Sequence, residues 1–596
     1  MALTRHKSPH GTVMAVSMMK DEAPFLLEWF AHHLAVGFTD ILVYTNDCTD
    51  GTVEMLQRLE ELGLGYHRHN VIREGVKPQP SAIAHAENEP LVAAADWVML
   101  FDADEFLCIN HPSGTLDGML ADAVARDANG IVITWRIFGS GFVTDWSRAP
   151  VTEQYLYAAP PLWRMGWGVK TLFKYDPEYW RLGIHRPKIK NKHLEDGFPD
   201  TVRWLNGSGQ PMEDYFKFRG WRSIRRTLGY DWAQLNHYAI KSIDSYAIRK
   251  FRGNVNNKKD KYNADYWSLQ DRNEVRDEKI SRHFARRREI MNELLADPVL
   301  GRLHEAAMQR VEARLEDYRK TEAYAELKES LLRAGEVPIT QVTAKPPQAR
   351  DPLKIASLMS EVEKKSGSRP VEERRTKPSA EFGDMTGSPY LPGPVDLSSP
   401  VPVEIVENRG LKVPADLRLF APDALETLIA GKFERRAARQ IVGATVDARR
   451  MLDATEGFGF VAQLAAQAHP ALRVMIQQER SDLIEFARRV AELNGLVGRV
   501  SYANGPLVMP GDSEETGARG LAHCIRDFRP DVLRIGAAAL APAWVKAVDL
   551  APLKRVLLLR EADEALAEAW NDVLTAAGFE RISDGQKSGT SEYRRS

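Results

Sequence analysis

The first hundred residues alternate between two kinds of segment, and that alternation restricts the fold more than any other feature of the chain. Thr12 to Met18 is apolar and rich in strand-favouring residues, whereas Ala23 to Val36 places Phe25, Leu26, Trp29, Phe30 and Leu34 at helical spacing. Asp40 to Thr45 reads as a second strand and Thr52 to Leu62 as a second helix; Tyr66 to Ile72 and Ser81 to Ala95 repeat the pair. Strands that alternate with helices predict βαβ units around a parallel sheet. A fourth apolar run, Trp97 to Phe101, then stops at Asp102 and Asp104, with Glu105 directly behind. A parallel strand buried on both faces reads as such a run, and ligands of α/β folds gather at the carboxyl ends of strands.

Acids delivered to that edge have two uses. They can cap the strand end or the next helix, or they can hold a hard divalent cation such as Mn²⁺ or Mg²⁺ against a diphosphate. The polar loop Asn46 to Thr52 follows the second strand and falls on the same edge, which predicts a cleft.

Lys20-Asp21-Glu22, the Asn46 to Thr52 loop and Phe101-Asp102-Ala103-Asp104-Glu105 together resemble the core of the family 2-type glycosyltransferases. The resemblance continues through Trp135 to Gly141, Gly183 to Pro187 and Gln234 to Tyr238, and so covers residues 10 to 260 in the expected order. It implies a GT-A fold, in which a Rossmann-like nucleotide-sugar-binding half joins an acceptor-binding half. The implied reaction is metal-dependent transfer, with inversion, from a nucleotide sugar (a UDP-sugar) to a hydroxyl of a glycan or glycolipid, in bacterial surface or extracellular glycan synthesis.

Carried over position by position, the resemblance gives Asp47 to the nucleoside and has Asp21 and Glu22 line the same pocket. Asp102 would face the ribose or a metal-bound water, Asp104 would ligate the cation, and His237 would supply a further metal contact. The chemistry is coherent, because a Lewis acid stabilises a departing diphosphate and a carboxylate can deprotonate the attacking hydroxyl. For that base the sequence offers Glu153, Glu195, Asp196, Glu213 and Asp214, with Asp214 and Glu153 ranked first; each is also readable as a surface acid.

His185 beside Arg186 reads as a turn before Pro187. The basic runs Arg186 to Lys192 and Arg219 to Arg226 read as solvated faces that could also attract phosphate. Nucleic acid is a poor partner for a chain of net charge −2 without a nucleic-acid module.

At 596 residues and 44% hydrophobic content, more than one core is expected. We divide the chain into a transferase domain (1–270), an amphipathic helical extension (271–335), a linker (336–410) and a second α/β domain (411–596). The extension could brace the first domain or pair with a second subunit as a homo-oligomer. The linker is assigned from 11 prolines between Pro338 and Pro402, a composition of extended, disordered chain.

In the second domain a strand over Asp447 to Asp453 leads into Ala454-Thr455-Glu456-Gly457-Phe458-Gly459-Phe460, and the strand Val474 to Gln478 ends at Glu479. A glycine-rich turn followed some 20 residues on by an acid suits a ribose-bearing ligand. The layout resembles the FkbM-like SAM-dependent methyltransferases, and the resemblance gives Asp453, Gly457, Gly459 and Glu479 to the cofactor. Two departures argue against SAM chemistry: Thr455 stands where the first glycine is expected, and Gly536-Ala537-Ala538-Ala539 replaces an acidic segment. The expectation is a degenerate methyltransferase-type domain kept for structure or binding. The alternatives are a SAM-dependent methyltransferase acting on a glycan recognised by the first domain, and a non-catalytic scaffold. Three scattered cysteines, no apolar leader and no run of bilayer length lead to the expectation of a cytoplasmic protein, with room for peripheral contact at the inner face of a membrane.

Overall fold

In the computed structural model the described residues are Leu3, 5–72, 75–193, 200–218, 220–252, 262–342, 388–505, 520–536, 548–559, 564–583 and 590–595. The chain divides into two compact units, Met1–Pro370 with Ser399–Pro402, and Val371–Ser398 with Val403–Ser596.

The first unit is built on a nine-stranded mixed sheet. Its strands are β1 (Val13–Met19), β2 (Asp40–Thr45), β3 (Tyr66–His69), β4 (Trp97–Asp102), β5 (Glu105–Ile109), β6 (Gly130–Ile137), β7 (Val169–Lys174), β8 (Trp204–Asn206) and β9 (Ala233–His237). The order is β3-β2-β1-β4-β7-β6-β9-β5, with β8 also on β6. All seven residues of β1 are buried, as its unbroken apolar run requires. The chain turns one way from β1 to β2 and β3 and the other way to β4, the reversal that opens a crevice at the carboxyl ends. Met18 pairs with Asp102 and Met19 with Thr45, so the loops after β1, β2 and β4 emerge side by side. At the far side His237 pairs with Glu105 across antiparallel β9 and β5.

The first two helices form as expected, α1 (Ala23–Val36) and α2 (Thr52–Glu61). The third, expected over Ser81 to Ala95, is split into Pro78–Ala86 and Pro90–Ala93. The cause is Pro90, which lacks an N–H and holds Glu89 extended (ψ 120°).

The helical extension is not a separate domain. Downstream of α3 (Ile243–Arg252), α4 (Phe284–Ala296) and α5 (Pro298–Arg319) bury Ile290, Leu294, Leu300 and Ala307 in the same core as Leu27, Phe30 and Leu34 of α1. Asp297 starts α5 by accepting from the N–H groups of Val299 and Leu300 at 3.1 and 3.0 Å, and pairs with Arg58 of α2 at 2.7 Å. The apolar stripe that would serve a second subunit is in large part spent on α1.

The second unit has seven strands, β10 (Arg450–Ala454), β11 (Arg473–Gln478), β12 (Val500–Asn504), β13 (Val532–Gly536), β14 (Arg555–Leu559), β15 (Phe579–Ser583) and β16 (Thr590–Arg595), in the order β12-β11-β10-β13-β14-β16-β15. All pairings are parallel except those of β16. This is a second Rossmann-like sheet, reversing between β10 and β13. The unit begins earlier than composition suggests. Residues 388–410, counted with the linker, include buried Tyr390, packed against Phe420 and Phe458, and the strand Ile405–Asn408. Prolines bracket an aromatic anchor there, and the anchor decides. The linker residues 343–387 lie outside the described residues, as do Glu195, Asp196, Arg219 and Ala537 to Ala539.

Candidate active site

The loop after β1 turns through Asp21, whose backbone is left-handed (φ 52°), and the loop after β2 turns through Asp47 (φ 50°). Short polar side chains tolerate that region better than most. Asp21 reaches across and accepts from the Thr49 N–H at 2.6 Å. Asp50 returns the contact, accepting from the N–H of Ala23 at 2.9 Å and from Thr52 at 3.0 Å (N–H) and 2.6 Å (hydroxyl). Burial raises the Asp50 carboxyl above its ordinary range against these bonds. The two loops are thereby tied into one wall, with Asp47 exposed at its rim and Glu22 buried behind it.

The acids after β4 are sorted by their partners. Glu105 is fully buried; it accepts from the Trp135 indole N–H at 2.7 Å and the Asp102 N–H at 2.8 Å. Lys170 of β7, equally buried, lies 3.4 Å from Glu105 and 3.3 Å from Asp102. Burial pushes the Glu105 carboxyl well above the usual carboxylate range. It also works against the Lys170 charge, but Asp102 and Glu105 together reverse that and raise the ammonium. Asp102 keeps its side chain 31% exposed, with Gln79 donating to it at 3.1 Å.

Asp104 points into a different environment. Arg249 of α3 donates to one oxygen at 2.8 Å, and His237 Nε2 stands 3.6 Å from the other. Burial opposes the Asp104 charge, but Arg249 and then His237 outweigh it and hold the carboxyl well below its ordinary range. His237 stacks on Trp135 (centroids 4.7 Å apart), and its Nδ1 is buried with no hydrogen-bond partner.

These contacts test the expected metal set. Asp104 is an ionised oxygen donor and His237 turns Nε2 to it at 3.6 Å, while the unpartnered Nδ1 lies elsewhere on the ring; the pair suits Mn²⁺ or Mg²⁺ poorly in number but supplies an oxygen and an imidazole ligand. Asp102 is drawn to Lys170 instead. Among the described residues no three His, Cys, Asp or Glu side chains converge as a metal site. The set expected as one cluster is thus a pair, Asp104 and His237, with Asp102 apart.

The two candidate bases also separate. Both oxygens of Glu153 are taken by Arg287 and Arg288, and the Arg288 hydrogen bond leads in holding its pKa down. A carboxylate so held is a weaker base. Asp214 pairs with Lys217 at 3.0 Å on its own short helix (Asp214–Phe218) and keeps a third of its side chain exposed. His185 bonds the Val169 carbonyl through Nδ1 at 3.0 Å, and Arg186 donates to the carbonyls of Gly220 and Lys217, so both hold chain segments as expected.

The equivalent edge of the second unit is closed. Asp453 at the end of β10 is buried and accepts from the Thr455 hydroxyl at 2.7 Å and from Arg534 of β13 at 3.1 Å. Arg534 also donates to Thr455 at 2.9 Å and to Glu434 at 2.8 Å. Thr455 sits in ordinary backbone; the left-handed positions are Gly457 (φ 136°) and Gly459 (φ 67°). A Cβ on Gly457 would stand 2.5 Å from the Tyr390 hydroxyl, and one on Gly459 would strike Ile476. The glycines therefore admit the unit's own side chains. Glu479 is exposed beyond β11. These residues do not fit SAM: the acid is neutralised by Arg534 and the turn is covered by Tyr390.

Sequence reasoning missed Lys170, Arg249, Asp50 and Tyr390. Lys170 alone left a trace, as a lysine within the strand Val169-Lys-Thr-Leu-Phe.

Comparisons with known proteins bear on the first unit. Residues 10–139 match the model of Glycosyltransferase family 92. A glycosyltransferase family 92 protein of Oryza sativa subsp. japonica is 31% identical over 221 residues, covering 35% of this chain and 34% of its own length. One from Arabidopsis thaliana is 31% identical over 94 residues, 15% of each chain. The chain thus spans about a third or less of the length of these relatives. The motifs resemble family 2 and the matching model is family 92, so the class of domain agrees and the family differs. Among solved structures, a methyltransferase from Geobacter sulfurreducens overlaps with a TM-score of 0.21 at 19% identity, covering 27% of this chain and 78% of its own. An O-methyltransferase family protein from Burkholderia thailandensis scores 0.22 at 16% identity over 29% and 59%. Likenesses of that size carry no functional weight.

Proposed function

We propose that the first unit is a glycosyltransferase domain of GT-A type that moves a sugar from a nucleotide-sugar donor, a UDP-sugar by preference, to an acceptor hydroxyl on a glycan or glycolipid, with inversion. The observation that carries this reading is positional. The family 92 match runs from residue 10 to 139 and so includes every loop of the crevice wall, with Asp21, Glu22, Asp47, Asp102, Asp104 and Glu105.

In this reading Asp21, Glu22 and Asp47 bind the nucleoside side of the donor, and Asp102, the more exposed acid, meets the ribose. Asp104 and His237 would hold Mn²⁺ or Mg²⁺, which when bound supplies Lewis-acid stabilisation of the departing diphosphate. Lys170 keeps Glu105 and Asp102 from repelling one another, and Arg249 keeps Asp104 ionised. Asp214, a third exposed beside Lys217, is a better candidate than Glu153, which two arginines hold, to take the acceptor proton. The second unit serves as a binding or structural module of methyltransferase type without SAM chemistry. The reading places the enzyme in the cytoplasm, within reach of a membrane-borne acceptor.

The test is calorimetric titration of the full chain with UDP, GDP and CDP, with and without Mn²⁺, beside Asp104→Ala. Binding that needs both the cation and Asp104 is the expected result and names the nucleotide. A folded protein that binds none of the three overturns the reading.

A further inference from the structure

Helix α5 does more than brace the sheet. It carries Arg310 and Arg314 one turn apart, and both line a narrow cleft whose other walls include Asp21, Glu22, Lys241 and Arg249. A Cβ on Gly51 would lie 3.9 Å from the Arg310 guanidinium, which puts that group over the loop after β2. Neighbouring arginines are spoken for: Arg58 by Asp297, Arg148 by Glu305 and Glu312, Arg319 by Asp244 and Arg249 by Asp104. Arg310 and Arg314 have, among the described residues, no ion pair and no hydrogen bond.

Two like charges at i,i+4 on a helix repel and cost stability. An arrangement that keeps them unpaired, beside a buried lysine standing 4.6 Å over the Phe25 ring, is completed by an anion. Two of the cleft's carboxylates, Asp21 and Asp50, are turned to the N–H groups of Thr49, Ala23 and Thr52. The narrow part of the cleft, about 40 Å³, has room for a group of phosphoryl size.

We propose that Arg310 and Arg314 form a diphosphate subsite, binding the nucleoside diphosphate through its phosphoryl oxygens at the edge of the Asp21–Asp50 wall. The proposal rests on the donor reading above and adds to it: the helical extension contributes part of the donor site. Guanidinium forks match phosphoryl oxygens in geometry, and charge-assisted hydrogen bonds are the stronger kind.

Titration of the full chain with UDP, uridine and inorganic pyrophosphate, with and without Mg²⁺, decides it. Arg310→Gln/Arg314→Gln is expected to weaken UDP and pyrophosphate at least about tenfold while leaving any uridine binding unchanged. Arg310→Lys/Arg314→Lys should recover part of the loss, and Arg302→Gln, exposed on the same helix, should have no effect. UDP binding unchanged in the double variant overturns the subsite and leaves the donor reading standing. Pyrophosphate binding that needs the arginines, in a chain that binds no nucleotide, upholds an anion subsite and removes the donor reading. A chain that binds none of these ligands overturns both.

Discussion

At the end of β4, Asp104 is paired with an arginine from α3 and stands near a cleft lined by two arginines that have no ion pair among the described residues. At the end of β10, Asp453 is paired with an arginine that is itself pinned by Glu434 and by Thr455, and the glycine turn beyond it is covered by Tyr390. The two sheets reverse direction at the same point, between their first and fourth strands. A shared topology therefore places an acid at the same kind of edge twice, and what the acid can do depends on whether its counter-charge is free to serve a ligand. In the first unit Arg310 and Arg314 have no ion pair among the described residues. In the second, Asp453, Arg534 and Glu434 satisfy one another.

The sharpest way to break this comparison is to remove the cation that closes the second edge. Arg534→Ala leaves buried Asp453 and partly buried Glu434 without their cation, and breaking such a buried pair costs about 3–5 kcal/mol. Thermal unfolding should show that loss, while sugar transfer measured well below the transition stays at the native rate. Replacing the whole cluster with apolar residues, Arg534→Met with Asp453→Leu and Glu434→Leu, should recover much of the stability. If Arg534→Ala instead gains SAM affinity without losing stability, the edge is a gated site and not a closed one.

In the first unit the corresponding change acts on rate. Asp104→Asn removes the charge that Arg249 and His237 face, and loss of one group that stabilises developing charge typically costs about 10²–10³-fold in kcat. Once an acceptor is found, kcat/KM against Asp102→Asn separates the two acids. A larger loss for Asp102 would reverse the assignment of the metal pair.

How far each edge could be read in advance follows from how local its determinants are. The βαβ order of the first unit and the placing of Asp21, Asp47, Asp102 and Asp104 on one edge were legible, because strand runs and turn residues are local signals. The sorting of those acids was not. It depends on Lys170, Arg249 and His237, which lie 65 to 145 positions downstream and reach the acids only through the sheet order. The same limit applies to the linker, where proline content masked Tyr390. In the second unit Thr455 was legible as a departure from a glycine pattern, but its partner Arg534 was not visible as the reason. The helical extension had the right spacing, and only the structure shows its apolar stripe turned to α1.

A smaller effect, per site, separates the two units by pH. Burial holds His33 at about 3 and His67, His185 and His283 at about 4, all in the first unit, against 6.5 for the ordinary side chain. Each folded-state pKa lies below the unfolded one, so the neutral ring favours folding fully above 6.5, and that contribution is lost as pH falls toward the folded value. At pH 5.5 each fully buried ring has given up about 1.4 kcal/mol. The second unit's described histidines, His469 and His523, lie partly exposed. Differential scanning calorimetry of the full chain between pH 7.5 and 5 should therefore show the transition of the first unit moving down while the second holds. Movement of both together would mean that the units unfold cooperatively.

The smallest expected effect concerns the cover over the glycine turn. Tyr390 accepts the Phe458 N–H at 3.4 Å, a long bond, and packs its ring on Phe420 and Phe458. Tyr390→Phe keeps the ring and removes the hydroxyl, so it should cost about 0.5–1.5 kcal/mol, measured by denaturant unfolding. Gly457→Ala adds a Cβ where the hydroxyl sits and forces a side chain into a left-handed backbone, so alone it should cost more. In the double variant the hydroxyl is gone, and the steric part of the Gly457→Ala penalty should shrink while the backbone part remains. A double-mutant cycle reads that difference directly. Coupling between the two positions would establish that Gly457 is glycine in part because of Tyr390; strict additivity would mean that the left-handed backbone alone requires the glycine and that the Tyr390 hydroxyl yields without cost.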